Sequence, residues 1–373
     1  MTTRRTFFQG LGGAAAAMPR LAAQSGPTSA PPVLLRLSSN ESAYGPFPSM
    51  VRAMAKACER GNYYVGGEAQ AVRQRLAELH GAPAASVVLG AGSSEPLRVT
   101  TQVFAGERRP PVVAEPTFEA VARSAEIAGN PAVKIPLDAR GVHDVEKMVD
   151  AARKNSAGMI YLCNPANPTG TIISGQQLRW TVDNLPADTV LVADEAYSDF
   201  VDDPQFETAL PYVKQGRPVV ILKTFSKIYG LAGMRLGYAI ASPDLIRRMA
   251  PRLLGGMALN QAVVAGALAG LEDKAEYQRI RALNAQVRRY VTEEFRKMGY
   301  ASTESQANFV MVDLKRPIGP VSAGLNRGGF AVGRLFPSMP HHLRITLGTM
   351  EDMKRFMPLV RAIATEAQSH RDC

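Results

Sequence analysis

An α/β fold with a mostly parallel central sheet, joined to a smaller α+β portion, is predicted from three observations. Short apolar runs alternate with helical stretches from about residue 87 to residue 241, the rhythm of right-handed strand–helix–strand units. Two of these runs, Gly158–Cys163 and Thr189–Ala193, are apolar at nearly every position, as strands covered on both faces of a sheet are. Polar residues then gather where the runs end. Asn167, Asp194 and Lys227 follow three successive runs, and ligands of an open α/β sheet sit beyond the carboxyl ends of its strands.

The first thirty residues are of a different material. Thr3-Arg4-Arg5-Thr6-Phe7-Phe8 precedes a weakly apolar Gly/Ala run from Leu11 to Met18 and then small residues, the layout of a cleavable export signal. Its paired arginines resemble a twin-arginine signal, which carries folded proteins and predicts a periplasmic or exported protein; a basic tail on a cytoplasmic protein is the alternative. The apolar run is too short to span a membrane, which takes about 20 residues, so no membrane association is expected after cleavage. The 373 residues are 46% hydrophobic, enough for a substantial core. The formal charge of +10 is spread among acids, not gathered on a basic face, which argues against nucleic-acid binding. Cys58, Cys163 and Cys373 have no ligand-like spacing, so neither a metal site nor a disulfide framework is expected.

After a Pro/Ser-rich linker, Leu34–Pro46 reads as an extended arm ending in a Gly45-Pro46 turn. Helices are expected over Pro48–Arg60 and Glu68–His80. The run Val87–Leu89 leads through Gly90-Ala91-Gly92 into Ser93-Ser94-Glu95-Pro96, a helix start whose free N–H groups can bind phosphate. Strands follow at Pro111–Ala114 and Ala132–Pro136, and helices at Phe118–Gly129 and Asp144–Lys154. The strand Gly158–Cys163 ends in Asn164-Pro165-Ala166-Asn167-Pro168-Thr169-Gly170, where two prolines stiffen the backbone that carries Asn167. A helix over Ser174–Asn184 leads to the strand ending at Asp194, Glu195 and Tyr197. The run Pro218–Leu222 precedes Thr224, Ser226 and Lys227, with Arg235 eight positions further on. A lysine among small hydroxyl residues can form a Schiff base with a carbonyl compound, and an arginine beside it can grip a phosphate. Beyond one more strand, Leu236–Ala241, helices are expected over Leu245–Leu254, in the Gly/Ala-rich stretch to Leu271, and over Asp273–Met298. The strands Asn308–Asp313, Gly328–Val332 and Leu343–Leu347 and a helix over Glu351–Ala367 close the chain. The expected division is a signal and linker (1–30), an arm joining the small domain (31–60), a large cofactor-binding domain (61–270) and a small domain (271–373).

The ordered set Asn164-Pro-Ala-Asn-Pro-Thr-Gly, Asp194-Glu-Ala-Tyr197, Ser226-Lys227 with Arg235, and Leu343-Arg344-Ile-Thr resembles the fold-type I aminotransferases, and most of all their histidinol-phosphate aminotransferase-like group. The opening Leu37-Ser38-Ser39-Asn40-Glu41 with Tyr44-Gly45-Pro46 is similar to that group's as well. The resemblance runs from about Leu34 to the end and implies an enzyme using pyridoxal 5′-phosphate. It implies Lys227 as the Schiff-base lysine, Asp194 against the pyridine nitrogen, and Tyr197 and Asn167 on the phenolic oxygen, with Phe118 stacked on the ring. Ser93, Ser94, Thr224, Ser226 and Arg235 would hold the phosphate, with Tyr64 reaching the site of a partner subunit in a homodimer. Arg344, Asn40, Tyr44 and Arg334 fall on the substrate side, Arg344 at the α-carboxylate. The sequence departs from the pattern at Ala166, Ser94, Phe118 and the Val332-Gly333-Arg334 segment, changes that leave the cofactor chemistry intact and the substrate open. The implied reaction is transfer of an amino group from an amino acid or amino-alcohol phosphate to a 2-oxo acid. The alternatives are a decarboxylase of the threonine-phosphate decarboxylase type and a non-catalytic binding module.

Overall fold

Five of the described helices begin where a short polar side chain holds a free backbone N–H. The computed structural model describes residues 35–106 and 108–369, with side chains as far as residue 363; the expected export signal lies outside them. Asp144, Ser174, Ser242, Asn260 and Asp273 each accept a first-turn N–H. Ser174 and Gln177 do so reciprocally, as a capping box.

The described chain opens with strand β1 (Leu35–Leu37) and helices α1 (Pro48–Cys58) and α2 (Gly67–His80). Strands and helices then alternate: β2 (Val87–Gly90), α3 (Ser94–Phe104), β3 (Pro111–Glu115), α4 (Ala120–Ile127), β4 (Val133–Pro136), α5 (Val145–Lys154), β5 (Met159–Cys163), α6 (Gly175–Asp183), β6 (Val190–Asp194), α7 (Leu210–Lys214) and β7 (Val219–Thr224). Next come β8 (Gly237–Ala241), α8 (Pro243–Met249), α9 (Gln261–Glu272) and α10 (Lys274–Lys297). The last elements are β9 (Ala301–Ser302), β10 (Phe309–Asp313), α11 (Ile318–Arg327), β11 (Phe330–Val332), β12 (His342–Thr346) and α12 (Met350–Ser369).

Among the described residues the main sheet has the order β2-β8-β7-β6-β5-β3-β4. From β7 to β4 every pairing is parallel, and β8 runs antiparallel between β2 and β7. All positions of β5 and β6 are buried, as their unbroken apolar runs require. A second sheet, β12-β10-β9, is antiparallel, and β1 pairs in parallel with β11. Two apolar clusters result. One fills the space around the main sheet; the other joins Leu37, Val291, Phe295, Val312, Leu343 and Phe356.

Two helix boundaries differ from expectation. The helix expected from Phe118 starts at Ala120, leaving Phe118 in a turn and partly exposed. The helix expected over Leu245–Leu254 stops at Met249 and continues as two short 3₁₀ turns, because Pro251 and Gly255-Gly256 disfavour further α-helix. The short elements β9 and α7 had no periodic signal.

Gly158 leads into β5 against the end of α3, where an added Cβ would stand 1.7 Å from the Phe104 carbonyl oxygen. Gly158→Ala is therefore expected to destabilise by about 2 kcal/mol or more, as overpacking in a core does. Gly67→Ala, with nothing within 4 Å of the new Cβ, should be neutral or stabilise by up to about 1 kcal/mol. Thermal unfolding of the two variants side by side checks both.

Candidate active site

Strands β5, β6 and β7 end side by side, with Cys163 opposite Asp194 and Asp194 opposite Leu222. The loops beyond these ends line one cleft, which holds Asn167, Asp194, Tyr197, Thr224, Ser226 and Lys227. Ser93, Ser94, Phe118 and Arg235 line it too, with Ser39, Glu41 and Cys163. Apart from Tyr64, every residue assigned to the cofactor from sequence lies on this cleft.

Lys227 is half-buried, and its amine is enclosed. Nζ donates to the Asn40 carbonyl oxygen at 2.9 Å and lies 5.3 Å from the centre of the Tyr197 ring. Burial, helped by the nearby Arg344 cation, lowers its pKa to about 8, against the attraction of Asp194 and Glu41. An ordinary lysine is almost wholly cationic at neutral pH, whereas this one offers about a tenth of its population as free amine.

Asp194 is 4% exposed, with both carboxylate oxygens engaged. Oδ2 accepts the Tyr161 hydroxyl at 2.7 Å and Oδ1 accepts the Ala196 N–H at 3.1 Å. Burial raises its pKa. A buried carboxylate is stabilised by a cation brought against it, and the open side of Asp194 faces the cleft. Sequence reading missed Tyr161, which looks like one more apolar residue of β5. Only the register, which sets Tyr161 and Cys163 on one face beside Asp194, exposes its role.

At the other end of the cleft is an anion cradle. Arg235 Nη1 reaches Ser226 Oγ at 3.5 Å, and the Thr224 and Ser226 hydroxyls are 3.0 Å apart. Ser93 and the free N–H groups at the start of α3 face them. Here glycine is obligatory: a Cβ on Gly92 (φ +73°) would stand 2.2 Å from Arg235 Nη2, and one on Gly237 would stand 2.1 Å from the Ser93 nitrogen.

Arg344, 8% exposed, comes in from β12. It donates to Asn167 Oδ1 at 2.7 Å and to the Ser38 carbonyl at 2.6 Å, while its Nε is buried with no partner among the described residues. Asn40 is a buried junction. Its backbone N–H donates to Thr346 Oγ1 at 2.9 Å and its amide donates to the Tyr197 hydroxyl at 3.1 Å. Tyr44 is half-buried near Arg279 and Asp352, away from the cleft lining. Arg334 is exposed and paired with Glu119 at 2.7 Å. Tyr64 is 93% exposed, its carbonyl accepting from Gln261 Nε2 at 3.0 Å. Phe309 and Phe336 also shape the site, against the Tyr197 ring and the Arg344 guanidinium, and carry no motif; Thr346, the last residue of the Leu343-Arg344-Ile-Thr run, holds Asn40.

The pattern of the family described as aminotransferase class I and II matches residues 32–358. The chain belongs to this family. It is 37% identical over 336 residues to the histidinol-phosphate aminotransferase of Symbiobacterium thermophilum, a match covering 89% of this chain and 91% of that one. The histidinol-phosphate aminotransferase of Moorella thermoacetica is 33% identical over 333 residues, covering 88% and 85%. In fold, the chain is similar to the crystal structure of histidinol-phosphate aminotransferase from Sinorhizobium meliloti in complex with pyridoxal-5′-phosphate. That likeness has a TM-score of 0.84 over 95% of this chain and 100% of that one, at 24% identity. This aminotransferase depends on pyridoxal 5′-phosphate, and the residues present fit that group. An enclosed amine suits its aldehyde, an anion cradle its phosphate, and a buried carboxylate its ring nitrogen.

Capture of pyridoxal 5′-phosphate by the apoprotein should accelerate with pH through about 8 and level off above it, because only the neutral amine attacks. Arg344→Met removes a cation that favours the neutral amine, so the midpoint should move up. Stopped-flow absorbance across pH 6–11 reads both; a wild-type rate still climbing beyond pH 10 would signal an unperturbed lysine.

Proposed function

We propose that this aminotransferase moves an amino group between a donor, either an amino acid or an amino-alcohol phosphate, and a 2-oxo acid, with Lys227 as the residue that carries the cofactor. The observation behind this reading is the setting of the Lys227 amine. It lies between the Asn40 carbonyl and the Tyr197 ring, in one cleft with a buried carboxylate and an anion cradle.

When bound, pyridoxal 5′-phosphate supplies the electron sink for charge developing at the donor's α-carbon. Arg235, Thr224, Ser226 and the start of α3 hold the phosphate, with Ser93 and Ser94 at that helix start. Asp194, held by Tyr161 and the Ala196 N–H, presents its charge to the ring nitrogen. Phe118 would cover a ring face, and Asn167 and Tyr197 would hydrogen-bond the phenolic oxygen. Arg344 would take the donor's α-carboxylate in a planar fork; its buried Nε has no partner among the described residues. The Lys227 amine, when free, would take a proton from the donor's α-carbon in one half of the cycle and give one to the α-carbon derived from the 2-oxo acid in the other, a task suited to a base with a pKa near working pH.

Two further features belong to the reading. Tyr64, nearly fully exposed, is offered to the cofactor phosphate of a second copy, which makes the working form a homodimer with shared sites. Residues 1–30 carry the folded, loaded enzyme out of the cytoplasm through a twin-arginine signal.

Amino donors added to the holoenzyme should convert the cofactor to pyridoxamine phosphate, and a 2-oxo acid should restore it, in absorbance spectra. Release of CO₂ without pyridoxamine phosphate would replace transamination with decarboxylation.

A further inference from the structure

Near the carboxylate anchor stands a second arginine that is already occupied. Arg334 Nη2 lies 2.7 Å from Glu119 Oε1, and its guanidinium carbon lies 4.4 Å from the centre of the Phe336 ring. Arg344 approaches the same ring at 5.5 Å. Two cations therefore flank one aromatic, with unlike partners. Arg344 donates to neutral oxygens, those of Asn167 and Ser38, and keeps a buried Nε in reserve. Arg334 is bound to a full negative charge.

The local backbone explains the arrangement. Gly333 donates its N–H to the Arg344 carbonyl at 2.9 Å, and a Cβ at 333 would stand 2.6 Å from that oxygen. A side chain is thus excluded at 333, and the arginine of this segment sits one residue later. Glu119 directly follows Phe118, whose ring lines the cleft. The ion pair consequently ties the turn before α4 to the segment after β11, near both the cleft and Arg344.

We infer that Glu119 is a specificity-determining residue: by holding Arg334 beside the Phe336 ring that Arg344 also approaches, it neutralises that cation and favours donors with uncharged side chains over donors whose side chain ends in a phosphate. This rests on the reading of Arg344 as the α-carboxylate anchor. A phosphate can displace Glu119 from Arg334, since arginine matches its geometry. It then leaves two negative groups facing each other, and such like-charge juxtaposition is how sites reject wrong ligands. With glutamine at 119 the repulsion is gone and Arg334 is free to pair with the incoming group.

The test compares O-phospho-L-serine with L-glutamine as donors to the holoenzyme, following cofactor absorbance in single turnovers. Glu119→Gln should raise the specificity ratio for the phosphate-bearing donor by about fivefold or more, the scale of one exposed ion pair with repulsion added. Adding Arg334→Gln in the double variant should abolish the gain. Both positions are exposed, and unchanged thermal melting confirms that the variants are folded. If both donors react but the ratio does not move, or if the gain survives loss of Arg334, the assignment of Glu119 is overturned. If neither donor reacts in any of the proteins, the reading of Arg344 as the α-carboxylate anchor of such donors falls, and the assignment of Glu119 with it.

Discussion

Asn40 is the knot on which the site depends. It holds a left-handed backbone conformation (φ +55°), which asparagine tolerates better than most residues. It is only 2% exposed, and every polar group it carries is engaged. Its carbonyl accepts from Lys227 and from Asn308 Nδ2, its N–H and side-chain oxygen bond the Thr346 hydroxyl, and its amide reaches the Tyr197 hydroxyl. One residue thus fastens the N-terminal arm to β12, to the loop after β6 and to the lysine. Buried polar networks are costly when partly satisfied and rigid when complete. Every polar group of Asn40 itself is engaged, while the neighbouring Asn308 Oδ1 is buried with no partner among the described residues.

The electrostatics of the cleft follow from that rigidity. Lys227 is held in a place where desolvation and the neighbouring Arg344 both disfavour its charge, while Asp194 and Glu41 pull the other way without prevailing. Asp194 sits in an apolar strand, its own charge disfavoured by burial and supported by the Tyr161 hydroxyl. An amine lowered toward neutral pH and a carboxylate awaiting a cation are two parts of one arrangement. Perturbed groups of this kind gather where a protein has chemistry to perform. Arg344 belongs to the same set, its Nε buried with no partner among the described residues.

Much of the architecture was legible because the signals were local. The unbroken apolar runs before Cys163 and Asp194 could hardly be anything but covered strands, and both are buried throughout. The residues at their carboxyl ends were legible for the same reason: topology alone brings the ends of adjacent parallel strands together. What stayed hidden depends on register and long-range contact. Tyr161 reads as core until it is set beside Asp194, and the bond from Asn40, which the resemblance puts on the substrate side, to Thr346, 306 positions away, is invisible until the fold brings them together. Glu119 carries no signal of its own, and its importance comes from where the Gly333-Arg334 segment lands. The boundary of α8 moved because proline and paired glycines cut short an otherwise helical pattern.

The central claim is that one enclosed amine, that of Lys227, is the covalent anchor the other site residues serve. Reduction of the holoenzyme with borohydride, followed by proteolysis and mass spectrometry, tests it directly. The account predicts a phosphopyridoxyl group on the peptide bearing Lys227 and on no other lysine. The label on Lys223, four residues earlier and held by Ser198, or on any other lysine, would contradict it.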